Sequence, residues 1–307
     1  MLRNIRKAVI TGATGEIGTA LVRELTEHGI EVLVLCREGS SRNDRIPDHP
    51  LVQKVFCDMS RLCEIQNGTD SDFDVFFHFA WAGTTGQMRN NMYLQNKNIE
   101  YALDAVGAAQ RLGCRLFVGA GSQAEYGRFE GRLRPDTPVN PENGYGMAKL
   151  CAGEMTREYA HRLGMEHIWT RILSVYGPND GANSMVTSTI LKLLKGETPQ
   201  FTKGEQLWDY LYSGDAAKAF RLIAENGMDG KIYVIGSGNA RPLAEYIEDI
   251  RDVVAPDAEI RLGAVPYSDR QVMHLQADIS ELTADTGFFP ETEFREGIRL
   301  TAENLKN

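Results

Sequence analysis

A serine, a tyrosine and a lysine in this sequence could together move a proton at an alcohol or sugar oxygen. Tyr145 and Lys149 lie four residues apart in GYGMAK, a spacing that places both side chains on one face of a helix. A lysine ammonium there would lower the phenol pKa, ordinarily about 10, so that the tyrosine could exchange a proton near neutral pH. Ser122 follows an apolar run that ends at Gly121, and a hydroxyl at a strand's carboxyl end could hold the reacting oxygen. An exposed tyrosine–lysine pair and a loop-capping serine are the alternative interpretations.

A glycine-rich segment predicts what these side chains work with. Thr11–Gly18, TGATGEIG, lies between a short apolar strand and an amphipathic helical pattern, and a second apolar strand, Glu31–Cys36, follows. In this context Gly12 allows a tight turn, Gly15 lets a pyrophosphate approach the backbone, and Gly18 lets helix and strand pack closely. The pattern predicts a dinucleotide site at the helix N-terminus. The candidate cofactor contacts in this loop are Gly12, Thr14, Gly15, Glu16 and Ile17.

The elements that must position these groups alternate along the chain. Further apolar runs predict strands at Leu51–Asp58, Asp74–Ala80, Cys114–Gly121, His167–Ile172 and Lys231–Gly236. Helical patterns cover Asn90–Arg111 and Tyr145–Leu163. Strands that alternate with helices predict an α/β fold, a Rossmann-type doubly wound parallel sheet.

The pattern becomes less regular after Gly177, which predicts a second, smaller unit. We expect residues 1–178, continued by about 214–236, to form the dinucleotide-binding domain. Residues 179–213 and 237–307 are then expected to form a C-terminal lobe that binds the substrate.

Composition narrows the possible partners and compartments. A net charge of −9 with no basic tract argues against nucleic acid or an anionic membrane surface as a partner. No apolar run approaches the roughly 20 residues of a membrane span, and the early first strand leaves no room for a signal peptide. Five cysteines without a CxxC pair indicate reduced thiols and a cytoplasmic protein. We find no cluster of metal-ligating residues in the sequence and expect no metal site.

Several further segments carry a family pattern. They are HFAWAG (His78–Gly83), NKNIE (from Asn96), GSQAEYG (Gly121–Gly127), RILSVYGP (Arg171–Pro178), GEQLWDYLYSGDAAKAF (Gly204–Phe220) and SDRQVMHLQADIS (Ser268–Ser280). With TGATGEIG and the YxxxK pair, they resemble the motifs of extended short-chain dehydrogenases/reductases. The resemblance is to the NAD-dependent epimerase/dehydratase family, which acts on nucleotide sugars, and it covers nearly the whole chain.

The resemblance implies roles for individual residues. Tyr145 would move the proton, Lys149 would tune Tyr145 and bind the nicotinamide ribose, and Ser122 would hold the sugar oxygen. His78 is expected to pack at a strand end rather than to act as a base. The other cofactor contacts implied are Ala80 and Asp58, and the substrate contacts are Thr84, Gln123, Ser174, Trp208 and Arg270. Family members pair their two long helices across a dimer interface, which implies a homodimer.

Five positions depart from the patterns of the family. Trp81 replaces a small residue, Ser174 replaces the usual asparagine, and Trp208 replaces an arginine that holds the nucleotide diphosphate. In 4,6-dehydratases an Asp–Glu pair follows the hydroxyl residue, whereas Gln123 and Ala124 stand here. Neither an amide nor a methyl group can transfer a proton, so we expect no dehydratase activity.

The end of the second strand bears on the choice of cofactor. An enzyme that uses NAD has an acidic residue there for the ribose 2′-hydroxyl, whereas an arginine suits the 2′-phosphate of NADP. Here Cys36 is followed by Arg37, whose guanidinium can pair with a phosphate. The sequence therefore favours NADP and leaves NAD open.

The function expected is hydride transfer at a ring carbon of a nucleotide-diphosphate sugar. A reductase would use NADPH to reduce a 4-keto sugar, and an epimerase would oxidise and re-reduce C4 with bound NAD; the sequence leaves both open. The alternative is a non-enzymatic NADP-binding sensor or scaffold on the same fold.

Overall fold

The computed structural model of the chain describes residues 2–68 and 72–306. Its strands are β1 (Lys7–Thr11), β2 (Glu31–Cys36), β3 (Val52–Phe56), β4 (Val75–His78), β5 (Leu116–Ser122), β6 (Arg132–Leu133), β7 (Glu166–Ile172), β8 (Ser174–Tyr176), β9 (Leu207–Tyr212), β10 (Ile232–Ile235), β11 (Ala240–Pro242) and β12 (His274–Ala277). Its α-helices are α1 (Glu16–Glu27), α2 (Met92–Arg111), α3 (Gly144–Arg162), α4 (Met185–Leu194), α5 (Ser213–Asn226), α6 (Leu243–Val254), α7 (Ser280–Thr286) and α8 (Phe294–Lys306).

Seven strands form one parallel sheet in the order β10-β7-β5-β4-β1-β2-β3. Because side chains alternate along a strand, neighbouring residues of β1 enter opposite cores. Ile10 packs with residues of α1 and α5 on one face, and Val9 packs with residues of α2 on the other. The sheet is therefore covered by helices on both faces, which confirms the predicted α/β, Rossmann-type fold.

A smaller sheet is built around β9. This strand pairs with β11 in antiparallel fashion and with β8 and β12 in parallel, while β12 also pairs with β6. Helices α4, α6 and α8 bury Ile190, Ile250 and Ile298 in a separate apolar core. The division at residue 178 stays a prediction; β6 and β8, which precede it, pair within the small sheet.

Element ends differ from the sequence expectations at two places near the site. Ser122 is the last residue of β5 rather than the first of a loop. The long helix α2 begins at Met92, not Asn90, because a 3-10 turn spans Gly86–Asn90 and the Asn91 side chain accepts from the N–H of Leu94 to cap α2. An asparagine at this position satisfies one of the unpaired N–H groups of the first turn.

Two observations bear on compartment and membrane contact. All five cysteines are free, with Cys36 and Cys114 buried, Cys57 half-buried and Cys63 and Cys151 exposed. Within the described ranges, no helix has the length and apolar character that a membrane span needs.

Candidate active site

The glycine loop forms the turn between β1 and α1. Gly12 has φ +77°, and a Cβ there would lie 2.6 Å from the backbone nitrogen of Ala80, so only glycine fits. A side chain at Gly18 would collide with the Gly12 carbonyl. Gly15 is the N-cap of α1 and brings no side chain to accept from the first turn. Backbone donors and the positive end of the helix dipole are thus left for an anion such as a pyrophosphate.

A cleft of about 430 Å³ runs from this loop to the carboxyl ends of β4 and β5. It brings together eight of the predicted site residues: Gly12, Gly15, Glu16, Ile17, Thr84, Ser122, Tyr145 and Lys149. It also brings in residues that were not predicted as site residues, among them Phe79, Ile172, Leu173, Val175 and Asp180. Trp81, noted in the sequence only as a departure from the family pattern, lines the cleft as well.

Ser122 is held by the turn that follows it. Its backbone N–H donates to Oε1 of Glu125 (2.8 Å), and its Oγ accepts from the N–H of Ala124 (3.2 Å). This reciprocal capping box fixes a buried hydroxyl at the end of β5. Ser122 lines the same cleft as Tyr145.

Glu125 is the buried anion beneath this turn. Its carboxylate accepts from Nε of Arg171 at 2.8 Å and from the indole N–H of Trp169 at 3.1 Å, and it has no exposed surface. Burial raises the pKa of Glu125, while the Arg171 guanidinium lowers it. Sequence reasoning missed this pair because the family pattern offers no signal for an acid at this position.

Tyr145 lies in the first turn of α3, behind the N-cap Asn143, whose side chain accepts from the N–H of Gly146 at 2.9 Å. The guanidinium carbon of Arg89 lies 4.3 Å from the centroid of the Tyr145 ring. Burial raises the pKa of Tyr145, whereas the Ser122 side chain and the charge of Arg89 lower it. Arg89 was not predicted, because it lies in an irregular segment without a motif.

Lys149 lies one turn further along α3, as its spacing predicted. Its ammonium donates to the carbonyl of Ala120 at 2.5 Å and lies 5.8 Å from the centroid of the Tyr145 ring. Burial lowers the pKa of Lys149 to about 7, and the nearby Glu125 carboxylate raises it. The lysine is therefore close enough to stabilise a phenolate at Tyr145.

His78 is part of the parallel sheet. It is buried at the end of β4, and its Nδ1 lies 2.9 Å from the Thr11 hydroxyl. Burial, followed by the charge of Lys149, lowers the His78 pKa to about 3. A neutral, buried imidazole agrees with the predicted packing role.

Two carboxyl groups meet at the loop end of the cleft. Glu16 opens α1, and Asp180 follows β8 in the chain. Burial, followed by the charge of Asp180, raises the pKa of Glu16, and burial also raises that of Asp180. Asp180 was not predicted as a neighbour of the loop.

Arg37 and Asp58 lie at the ends of the neighbouring strands β2 and β3, where the adenosine end of a dinucleotide was expected. Arg37 is exposed. Asp58 accepts from the N–H and the hydroxyl of Ser60 at 3.0 and 2.7 Å. These hydrogen bonds, with a smaller effect of Arg37, lower the Asp58 pKa.

The remaining predicted cofactor and substrate residues lie as follows. Ala80 packs against Gly12, Thr14 and Gln123 are half-buried, and Arg270 is exposed in the loop before β12. Trp208 and Ser174 contact each other, with the indole N–H donating to the serine hydroxyl at 2.8 Å.

Within residues 2–68 and 72–306, no three His, Cys, Asp or Glu side chains are grouped so that they could hold a metal ion.

In the segment NKNIE, the asparagine that contacts the chain beside the cleft is the second one, Asn98, and not the first, Asn96. Asn96 is exposed, whereas Asn98 is buried. The Asn98 amide accepts from the N–H of Ala82 and donates to the Ala82 carbonyl, both at 2.9 Å. It therefore holds the chain beside the cleft.

The fold and this site define a dinucleotide-binding protein of the short-chain dehydrogenase/reductase type. The chain belongs to the NAD dependent epimerase/dehydratase family, because residues 8–236 match the model of that family. A putative UDP-glucose 4-epimerase of Methanocaldococcus jannaschii is 26% identical over 97% of this chain and 98% of its own length. The predicted family is thus confirmed.

Solved structures show the same fold. UDP-N-acetylglucosamine 4-epimerase from Methanobrevibacter ruminantium M1, in complex with UDP-N-acetylmuramic acid, has a TM-score of 0.88 at 24% identity, covering 99% of each chain. UDP-glucuronic acid 4-epimerase from Bacillus cereus, in complex with UDP-glucuronic acid and NAD, has a TM-score of 0.82 at 19% identity, covering 98% of this chain and 99% of its own. At these identities the likeness establishes the fold.

Proposed function

We propose that the protein catalyses hydride transfer at ring carbon C4 of a nucleotide-diphosphate sugar, with Tyr145 as acid and base. One observation carries the proposal: Ser122, Tyr145 and Lys149 line one cleft, with the Lys149 ammonium 5.8 Å from the centroid of the Tyr145 ring. This is the arrangement needed to hold an alcohol or keto oxygen and to move its proton. Membership in a family of nucleotide-sugar enzymes supports the choice of substrate class.

The residues of the cleft fit a nicotinamide dinucleotide. Gly15 and the uncapped first turn of α1 would hold the pyrophosphate, and Lys149 would bind the nicotinamide ribose. When bound, the cofactor supplies or accepts the hydride. Ser122 would hold the sugar oxygen while Tyr145 gives or takes its proton, and the charge of Lys149 would stabilise the phenolate that forms.

We propose 4-epimerisation as the first candidate reaction, since one relative that matches 97% of this chain is a putative UDP-glucose 4-epimerase. Reduction of a 4-keto sugar by NADPH is the second. It is supported by Arg37, an exposed arginine directly after β2, where Cys36 leaves no carboxylate for a ribose hydroxyl. We accordingly propose NADP as the preferred cofactor of a reductase and bound NAD as that of an epimerase.

Incubation of the purified protein with candidate nucleotide sugars, without and with added cofactor, separates the two reactions. Turnover with only co-purified NAD supports epimerisation and excludes the reductase. A strict requirement for added NADPH and a 4-keto sugar supports reduction and excludes the epimerase. Failure to convert any nucleotide sugar under both conditions would contradict the proposal.

We further propose that the protein is not a 4,6-dehydratase, although its family includes dehydratases. The positions of the dehydratase acids are taken by Gln123 and by the buried Ala124. The nearest acid, Glu125, is engaged with the Ser122 N–H and Arg171. Formation of a 4-keto-6-deoxy product from a hexose substrate would contradict this exclusion.

A sensor or scaffold that binds NADP without catalysis is the alternative function. It does not need a hydroxyl, a phenol and an ammonium assembled in one cleft, yet Ser122, Tyr145 and Lys149 are all present there. A Tyr145→Phe variant that kept full cellular activity would favour the sensor.

The substrate contacts stay proposals. Thr84 lines the cleft, and Gln123 directly follows Ser122, so both would lie near the sugar ring. We propose that the Trp208–Ser174 pair stacks on or hydrogen-bonds to the nucleotide or sugar and that Arg270 binds the diphosphate.

We propose a homodimer that is formed by α2 and α3. An open groove of about 640 Å³ lies between these helices, lined by Leu103, Met155 and Tyr159 among others. Met155 and Tyr159 are 44% and 37% exposed, and a second copy would cover them. Sedimentation analysis that compares the wild type with a Met155→Glu variant tests the interface.

The free cysteines support a reducing compartment such as the cytoplasm.

A further inference from the structure

Trp81 stands where the family pattern has a small residue, and its indole is fixed from outside the cleft. The indole N–H donates to Oε1 of Gln95 at 2.9 Å. The Gln95 amide in turn donates to the carbonyls of Gly83 and Met88, both at 2.9 Å. Gln95 is 1% exposed, so α2 holds the ring in one orientation.

The fixed indole contacts both proton-handling residues of α3. The ammonium of Lys149 lies 3.8 Å from the centroid of the Trp81 ring. The Tyr145 ring meets the indole edge-on, with centroids 6.2 Å apart and an interplanar angle of 86°. Trp81 thus lies against the two groups whose protonation states the reaction needs.

The Lys149 ammonium has few other groups to compensate for its burial. Within the described ranges it has one hydrogen bond, to the Ala120 carbonyl at the end of β5. The ionisable groups near it on the neighbouring elements are Glu125 and the neutral His78, with Tyr145 on its own helix. A buried cation needs such compensation, and an aromatic face within about 6 Å supplies it by a cation–π interaction.

We propose that Trp81 is a positioning residue that keeps the Lys149 ammonium charged and beneath Tyr145. The indole face compensates for the burial of the Lys149 charge, as a carboxylate or a water molecule would for another buried lysine. The consequence for catalysis rests on the proposed function, whereas the effect of Trp81 on the charge of Lys149 does not.

The test is a pH titration of Lys149 in the full-length protein. Lysine labelled with ¹³C at Cε gives a resonance for each side chain, and a Lys149→Met variant identifies the one that belongs to Lys149. We compare wild type with Trp81→Leu, which keeps apolar bulk without a π face, and with Trp81→Phe, which keeps a smaller π face. Thermal unfolding checks each variant, and Trp81→Met replaces Trp81→Leu if that variant does not fold.

The proposal predicts that the Lys149 pKa falls by about one unit in Trp81→Leu and by about half as much or less in Trp81→Phe. A lysine pKa that is unchanged or raised in Trp81→Leu would overturn it, whether or not the enzyme turns over a sugar. Where activity is measurable, the loss of kcat/KM caused by Trp81→Leu should disappear in a Lys149→Met background. An equal loss in both backgrounds would show that Trp81 acts only through packing and would also overturn the proposal.

Discussion

The guanidinium carbon of Arg89 lies 4.3 Å from the centroid of the Tyr145 ring, on a segment that carries no recognised motif. Nη1 of Arg89 donates to the Thr84 carbonyl at 3.0 Å, so the guanidinium charge is held over the Tyr145 ring. Arg89 lowers the pKa of Tyr145. It therefore favours the phenolate that oxidation of an alcohol requires.

Removal of this charge should shift the acid limb of the activity profile. In Arg89→Met we expect the acid limb of kcat/KM for sugar oxidation to move to higher pH, with a loss of about threefold to tenfold near neutral pH. Arg89→Lys should recover part of the loss, and Arg115→Met, an 81% exposed arginine before β5, should have no effect. An unchanged pH profile in Arg89→Met would show that the guanidinium does not act on Tyr145.

The buried Lys149 should lower stability, in a pH-dependent manner. Its folded-state pKa of about 7 lies below the ordinary 10.5, so the folded protein binds fewer protons than the unfolded chain between these values. Stability therefore rises with pH across this window. Lys149→Met should unfold at a higher urea concentration than wild type near pH 7, because its free energy of unfolding should be larger by about a few kcal/mol. This difference in the free energy of unfolding should shrink toward pH 10. A variant less stable than wild type near pH 7 would contradict the expectation.

The Glu125–Arg171 ion pair should be needed for both stability and the geometry of Ser122. Because both side chains are buried, Glu125→Ala leaves a guanidinium without its counter-charge, which should cost about 3–5 kcal/mol. Glu125→Gln should cost less, since the amide oxygen still accepts from the Ser122 N–H. Urea unfolding measures both, with Glu64→Ala at an exposed pair as a control that should leave the midpoint unchanged. A wild-type midpoint for Glu125→Ala would refute the role of the pair.

Arg37 should decide between the two cofactors. If it binds a 2′-phosphate, Arg37→Ala should weaken NADPH binding about tenfold and change NADH binding little. Fluorescence titration with each cofactor measures this without any substrate. Arg61→Ala, at another exposed arginine in this region, controls for a general loss of positive charge. Equal effects on NADPH and NADH would argue against an NADP preference set by Arg37.

The parts of the site that sequence reasoning predicted depend on local spacing. The glycine loop, the YxxxK pair and the hydroxyl after an apolar run each lie within a few residues, and strand–helix alternation fixes which sheet edge they share. The structure accordingly assembles Gly15, Ser122, Tyr145 and Lys149 around one cleft. Only the exact ends differ, as for Ser122, which closes β5.

The parts that sequence reasoning missed depend on contacts between distant residues. Glu125 and Arg171 are 46 residues apart, and nothing local in either segment indicates an ion pair. Arg89 and Trp81 contact α3 from the segment between β4 and α2, whose path depends on the packing of buried Asn98. Side-chain types alone could not show these contacts, because burial and direction are properties of the folded chain.

The central claim is that the chain moves hydride at sugar C4 with Tyr145 as the proton-transfer group, and isotope transfer tests it most directly. The protein is loaded with NADH or NADPH deuterated at nicotinamide C4 and incubated, as wild type and as Tyr145→Phe, with a 4-keto nucleotide sugar, and the deuterium is located by mass spectrometry. For either proposed reaction we predict transfer of deuterium from the nicotinamide to sugar C4 in the wild type and a rate roughly a hundredfold or more lower in Tyr145→Phe. A reduced sugar without deuterium at C4, or an undiminished rate in Tyr145→Phe, would contradict the account.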